Sequence, residues 1–437
     1  MDTIVSKFGG TSLAGAPQIR KVMKIINDQP SRKFVVVSAP GKRTPADRKI
    51  TDLLLLCHEL AKHEEKYDDV FAGVAERFTQ IVEQLGITFD IGRELGEIKR
   101  LIQRQKTNDF AASRGEYLMA KIMAAALGWP FIDAALIVRF DSNGRYDDVT
   151  TRNLAEGELK RYKNAVIPGF YGSLATGDIR IFPRNYSDFS GAIIARAAKA
   201  EVYENWSDQP GYRSAPPEFV SGSKAIFTMT HEEMRELSAM GSSVIHHDTV
   251  LPLMESGIPI HLLHTHDPMD EGTLIVPKHK LATPPPPVTG VTGMKGFSIV
   301  TVTKTGMDNE DGFARRLLEA FEDLRIGMKH FPTGMDVMSV VCPTQDIDPC
   351  RKALDEAIRV KCSPESIVVE DGLAIVAAVG RGMSKRRGTA AKFMKAVADA
   401  DVNIRLISQG GSEMTILIGV DEADLSKAVN AVYRAFF

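Results

Sequence analysis

Residues 3–28 read TIVSKFGGTSLAGAPQIRKVMKIIND. TIVSKF has the apolar character of a short buried strand. GGTSLAGA is a glycine-rich turn, and PQIRKVMKIIND is an amphipathic helix with Pro17 where a first turn tolerates it. Outward from this unit, KFVVVSAP (33–40) supplies a second strand, and helical periodicity with a charged opposite face dominates residues 51–129. AVIPGFYG (165–172) and AEVYENWS (200–207) read as further strands, with the small-residue helix GAIIARAAKA between them. Alternating strand, turn and helix predicts an α/β sandwich with a largely parallel sheet.

The chain has 437 residues, too many for one ordinary core, so about two to four domains are expected. With 44% hydrophobic and 25% charged residues, disorder is not indicated. A net charge of −2 gives no electrostatic reason to expect a nucleic-acid or membrane partner. Cys57, Cys342, Cys350 and Cys362 form no C-x-x-C pair, which argues against zinc and for a reduced, cytoplasmic setting. MDTIVSKFGG has no signal-peptide pattern, and no apolar run reaches the ~18 residues of a membrane span.

PKHKLATPPPPVTG (277–290) marks the clearest boundary, because four consecutive prolines suit neither a helix nor a central strand. Beyond it, GFSIVTVTKTG, IGMKHFP and DVMSVVCP read as strands, and DGFARRLLEAFEDLR and PCRKALDEAIR as helices. GLAIVAAVG, GTAAKFMKAVADAD, VNIRLISQG, EMTILIGV and ADLSKAVNAVYRAFF then repeat the scheme. Two βαββαβ-like units of about 70 residues suggest an internal duplication. The expected organisation is a catalytic domain over 1–280, a proline-rich linker over 281–290, and two small units over 291–365 and 366–437.

Several motifs carry chemistry as well as structure. VSKFGGTS (5–12) sets Lys7 at a strand end before Gly9 and Gly10, where backbone N–H groups can meet phosphate oxygens. It lacks the G-K-[ST] ending of a P-loop, and on its own it is equally an ordinary turn. SRGEYLMA (113–120) precedes an apolar helix, so Glu116 either responds to the helix dipole or holds a substrate ammonium. In KITDLLLLC (49–57), Thr51 reads as an N-cap or as a donor to a carboxylate. IFPRNYSDFSG (181–191) brings Arg184, Ser187 and Asp188 together before a helix. ENWSDQPGYRSAPPEF (204–219) is turn-rich and offers Ser207 and Asp208 to a nucleotide or to solvent. VNIRLISQGGSEMTI (402–416) places polar groups at a strand junction.

In order and spacing, KFGGTS, VVVSAP, KITDLL, SRGE, VIPGFYGS, R-x-x-S-D, NWSD and ISQG-SE resemble the aspartokinases over nearly the whole chain, and the short clostridial type most. The resemblance implies a three-layer amino-acid-kinase sandwich followed by two ACT domains. It implies ATP- and Mg²⁺-dependent phosphorylation of the β-carboxylate of L-aspartate. Lys7 would then stabilise the transferring phosphoryl group, and Asp188 would organise the reacting end. Gly9, Gly10, Ser207 and Asp208 would face the nucleotide. Thr51, Glu116, Arg184 and Ser187 would hold aspartate, Arg184 by a two-oxygen clamp. No side chain is assigned as a metal ligand, since Mg²⁺ would bridge the phosphates. Asn403, Ile404, Gln409 and Ser412, with Gly312 and Asp336 in the first ACT unit, are the expected effector residues. Lysine or threonine is the expected effector, acting on a homodimer or a dimer of dimers paired through ACT units.

The chain departs from the family pattern in three places. R-G-G-S-D is Arg184-Asn185-Tyr186-Ser187-Asp188. The tyrosine, aspartate and arginine of T-D-x-x-G-x-Y-x-x-D-P-R are Arg213, Pro216 and Glu218, and the lysine before V-L-H is Ser243. These leave two alternatives open: a related kinase with another acceptor or donor, and an amino-acid-binding sensor without catalysis.

Overall fold

The computed structural model describes residues 3–105, 107–183, 187–242, 244–281 and 285–437. The chain divides into two compact units. The first comprises Met1–Tyr212, Ala225–Arg235 and Val244–Leu281, and the second Arg213–Lys224, Glu236–Ser243 and Ala282–Phe437. The first unit is therefore not an uninterrupted 1–280 span. Residues 213–224 leave it because their apolar side chains are buried elsewhere: Ala215 and Val220 share a core with Val291, Val376 and Val432.

The first unit is built on a seven-stranded sheet in the order β3-β2-β1-β6-β8-β9-β7. Its strands are β1 (Ile4–Phe8), β2 (Arg32–Val37), β3 (Ala165–Pro168), β6 (Val202–Ser207), β7 (Thr228–Thr230), β8 (Ile260–His264) and β9 (Thr273–Val276). β4 (Tyr171–Ser173) and β5 (Ile179–Ile181) form a separate hairpin, so AVIPGFYG is two strands rather than one. The break falls at Phe170, held at φ 76°. All pairings in the large sheet are parallel except β8 with β9. β1 is buried at every position, as a central parallel strand covered on both faces should be.

Five helices complete one face: α1 (Ala16–Asp28), α2 (Ile50–Lys62), α3 (Asp68–Leu85), α4 (Ile91–Ile102) and α5 (Asp109–Leu127). Their apolar stripes join Phe8, Val35 and Val37 in one core. Val36 alternates with Val35 and Val37 and so points the other way. The helix Ser187–Ala197 packs against β1, β2 and β6.

The second unit has one five-stranded sheet in the order β11-β10-β12-β14-β13. It contains β10 (Gly290–Thr303), β11 (Val337–Pro343), β12 (Ser366–Val379), β13 (Leu406–Gln409) and β14 (Thr415–Asp421). β10 and β12 are each 14 residues long and run through both halves. Gly290–Met294 pairs with Ile375–Val379, whereas Ile299–Thr303 pairs with Ser366–Glu370. Gly296 (φ 88°) and Gly372 (φ 73°) lie at the change, in a backbone conformation open to glycine. The two repeats are thus interleaved, and a clean cut between 365 and 366 does not describe them. IGMKHFP forms only the isolated bridge from His330 to Val341, since Pro332 offers no N–H to continue a ladder.

Residues 285–287 of the proline run are packed within this unit. A Cβ on Gly382 would lie 2.2 Å from the Pro286 carbonyl oxygen, and one on Gly380 would lie 2.4 Å from that of Pro287. Among the described residues no helix is long and apolar enough to cross a membrane.

Candidate active site

β1 is flanked by β2 and β6, so the chain leaves the sheet in opposite directions on its two sides. In open α/β sheets the crevice at such a point, outside the carboxyl ends of the strands, is where ligands bind. Here that edge is tied together by hydrogen bonds. Gly9 N–H donates to the Trp206 carbonyl at 3.0 Å, and Thr265 N–H to that of Ser207 at 2.8 Å. The Ser12 and Thr265 hydroxyls share a buried bond of 2.7 Å. Ser207 ends β6 half-buried, its hydroxyl accepting from Gln209 N–H at 3.1 Å, and Asp208 is exposed beside it.

Lys7 is only 5% exposed. Its Nζ donates to Asp188 Oδ1. Asp188 lies in the first turn of the helix Ser187–Ala197, where the helix dipole favours a carboxylate. The Tyr203 hydroxyl fixes this turn by donating to the Asp188 carbonyl at 3.0 Å. Gly191 permits that approach, since a Cβ there would lie 2.5 Å from the Tyr203 oxygen. Ser187 is half-buried, near the Gly169 turn that bonds to the Val37 carbonyl.

Glu116 occupies the middle of α5, not the helix start that SRGEYLMA suggests, because the helix already begins at Asp109. A helix-dipole role is thereby removed. The carboxyl is buried, and its Oε2 has no hydrogen-bond partner. Burial pushes its pKa up to about 8, against the opposing effects of backbone N–H groups, that of Ala39 included, and of Arg114. A buried carboxyl oxygen without a partner is chemically suited to a cation or a proton.

Thr51 is not an N-cap either. α2 starts at Ile50, and Lys49 occupies the cap position without a side-chain bond. Thr51 is half-buried in the first turn. Ile50 Cγ2 would be 3.3 Å from a Cβ on Gly115, so Thr51 and Glu116 each follow one partner of this contact.

Two close approaches link the phosphate-type turn to the Glu116 side. Gly41 N–H donates to the Gly10 carbonyl at 2.7 Å. A Cβ on Gly10 would come 2.8 Å from the Ala39 carbonyl oxygen, and one on Gly115 2.7 Å from the Ala39 Cβ. Neither glycine is needed for a positive φ. They are needed because residues 39–41 are wedged between the Gly9–Gly10 turn and α5. Contacts therefore link Lys7 to Asp188, the Gly9–Gly10 turn to the end of β6 at Ser207, and, through residues 39–41, that turn to the part of α5 that carries Glu116 and the start of α2 that carries Thr51, while Asp208 is exposed next to Ser207. Arg184, Asn185, Tyr186 and Ser243 lie outside the described residues.

Arg213, Pro216 and Glu218, read from the sequence as a nucleotide-facing stretch, belong to the second unit. Arg213 Nε donates to Ser223 Oγ at 3.1 Å, and its Nη2 to the Ser223 carbonyl. In that unit, Gln409 lines a cleft of about 630 Å³ with Arg386, Arg387, Gly388, Thr389 and Glu413. Asn403, Ile404 and Ser412 are not part of its lining. Gly312 caps the helix Phe313–Asp323 at φ 76°, as Gly388 caps Thr389–Asp399 at φ 83°. Asp336 accepts from Gly306 N–H at 2.7 Å, so it braces a turn in the first repeat.

Sequence reading missed Gly41, Gly115, Thr265 and Arg77. The glycines carried a signal, each standing beside a quoted motif residue. Arg77 carried none, being one more charge in an amphipathic helix.

Residues 2–264 match the amino acid kinase family, and residues 376–436 match the ACT domain. Aspartokinase 3 of Bacillus subtilis is 34% identical over 99% of this chain and 98% of its own length. The crystal structure of aspartate kinase from Clostridium acetobutylicum, described as an allosteric enzyme, superposes with a TM-score of 0.92 at 40% identity, covering 99% of this chain and all of that one. Escherichia coli aspartokinase III, solved with aspartate and ADP and with lysine and aspartate, shares the fold at TM-scores of 0.82 and 0.79, with 23% and 24% identity over the full chains.

Proposed function

The chain belongs to the amino acid kinase family, in its aspartokinase branch, and from that premise we propose that the region around Lys7 and Glu116 is where it transfers the γ-phosphoryl group of ATP to L-aspartate. The activity is that of an aspartate kinase under ACT-domain regulation, giving 4-phospho-L-aspartate. The observation that carries the site is the buried Glu116 carboxyl with an unpartnered oxygen, one loop away from the Gly9–Gly10 turn.

The β-carboxylate of aspartate is ionised at neutral pH, so it attacks phosphorus without a strong general base. Catalysis is then positioning plus charge stabilisation. Lys7 lies where charge develops on the phosphoryl oxygens, and Asp188 holds its ammonium in place. Glu116 takes the substrate ammonium, with Thr51 on the adjoining turn. Gly9 and Gly10 give the nucleotide its backbone donors, with Ser207 and Asp208 across the edge. Arg184 and Ser187 complete the aspartate side in this reading.

Mg²⁺ fits as a companion of the nucleotide. Among the described residues the one group of three nearby metal-binding side chains is His246, His247 and Asp248, whose imidazoles do not suit a hard oxygen-seeking cation. When bound, Mg²⁺ neutralises phosphate charge. An amino-acid effector, lysine or threonine, is assigned to the ACT repeats, with Gln409 in the second and Gly312 and Asp336 in the first. Asn403, Ile404 and Ser412 extend that surface. A homodimer or a dimer of dimers in a cytoplasmic setting completes the reading, consistent with four free cysteines.

Aspartate-dependent ADP release, with the acyl phosphate trapped by hydroxylamine, tests the function. Loss of both signals in Glu116→Ala with nucleotide binding retained is the expected outcome. An unchanged aspartate KM in that variant contradicts the site.

A further inference from the structure

Arg77 lies on α3, outside every motif the chemistry uses, yet it is only 6% exposed. Its Nη2 donates to the Ala14 carbonyl at 2.7 Å and to the Gly41 carbonyl at 2.6 Å. Its Nη1 donates to Asp47 Oδ2 at 2.9 Å. Ala14 closes the turn that begins at Gly9. Gly41 and Asp47 belong to the loop that passes Ala39, beside Glu116, and runs on to α2 and Thr51. One guanidinium thus binds both substrate loops at once, at the place where Gly41 N–H already meets the Gly10 carbonyl at 2.7 Å. A buried cation is costly and persists only with such partners. A lysine in its place would have no planar fork to reach three acceptors in different directions.

We propose that Arg77 is a positioning residue that couples the two substrates, so that ordering of the Gly9–Ala14 turn by nucleotide also orders the 38–49 loop for aspartate. The inference rests on the assignment of those loops in the preceding section. It requires reciprocal binding: each ligand tightens the other by the same factor.

The test uses the full chain and calorimetry with a non-hydrolysable ATP analogue and Mg²⁺, with and without aspartate. In the wild type aspartate tightens nucleotide binding at least about five-fold, within the usual range of coupling between sites. Arg77→Lys binds each ligand alone within about three-fold of wild type, loses the tightening, and has kcat reduced at least about ten-fold. Wild-type coupling and kcat in a folded Arg77→Lys overturn the proposal. Hydrogen exchange on the wild type gives a readout that needs no variant. Nucleotide alone should slow exchange in residues 38–49, and unchanged exchange there also overturns it. A wild type that binds neither ligand refutes the underlying aspartate-kinase assignment, which is a different result.

Discussion

Lys7 and Asp188 are 181 residues apart in sequence and form one salt bridge, joining β1 to the first turn of the helix Ser187–Ala197. The side chains are 6% and 16% exposed, so the pair is largely shielded from solvent. Removing Lys7 deletes the cation of the proposed transfer site and leaves Asp188 without this partner. Lys7→Met should lower kcat by about 10²–10³-fold, the usual cost of one preorganised donor. The nucleotide Kd should change far less. Steady-state kinetics beside nucleotide titration checks this, and a KM-only effect would remove Lys7 from the transition state.

Glu116 gives a pH dependence with a definite sign. Its pKa is raised from 4.5 to about 8, so at neutral pH the empty site holds it mostly protonated. Binding the ammonium of aspartate favours the ionised form and should release a proton. Aspartate affinity should therefore rise with pH up to about 8 and level off above it. Calorimetry at pH 7 in buffers of different ionisation enthalpy should show that release, and Glu116→Gln should abolish it.

The same shift makes a stability prediction. A carboxyl whose folded pKa is raised favours the folded state most below pH 4.5, and that contribution is lost as pH climbs to about 8. Glu116→Gln removes the buried charge, so its Tm should exceed that of the wild type at pH 8.5 while aspartate binding fails. Thermal scans at pH 5 and pH 8.5 should show a much larger difference at the higher pH.

Gly115 is required by contact rather than by conformation. An added Cβ would lie 2.7 Å from that of Ala39, forcing residues 39–41 away from α5. Gly115→Ala should cost about 1–3 kcal/mol, as overpacking does. It should also raise the aspartate KM more than that of ATP. Equal effects on both would mean that the displaced segment does not serve the acceptor side.

Regulation is best probed by point substitution. Deleting residues 290–437 would strip Ala215 and Val220 of the core they share with Val291 and Val376. Gln409→Ala should raise the effector concentration for half-inhibition at least about five-fold with kcat nearly unchanged. Lysine and threonine titrations of this variant would also show which amino acid the cleft takes.

Much of this was legible in the sequence. The strand, glycine turn and helix at the start announced the α/β class, and the C-terminal pattern announced an ACT domain. What stayed hidden was long-range. Nothing local shows that residues 213–224 are buried beside Val291, or that β10 and β12 pair with each other through both repeats, with an irregularity near Gly296 and Gly372. Glu116 lies in the middle of its helix rather than near the start that SRGEYLMA suggests. Polar residues such as Asn108 and Asp109 precede SRGE, and the helix begins there, two turns before Glu116. Arg77 was invisible because its meaning lies in three acceptors from two distant loops.

The most direct measurement is hydroxylamine trapping of the acyl phosphate formed by the purified chain with Mg²⁺-ATP and L-aspartate, with ADP counted in the same sample. The account predicts ADP and aspartyl hydroxamate in equal amounts, both absent without aspartate. Tight aspartate binding with neither product would contradict it and make the chain a binding protein built on a kinase fold.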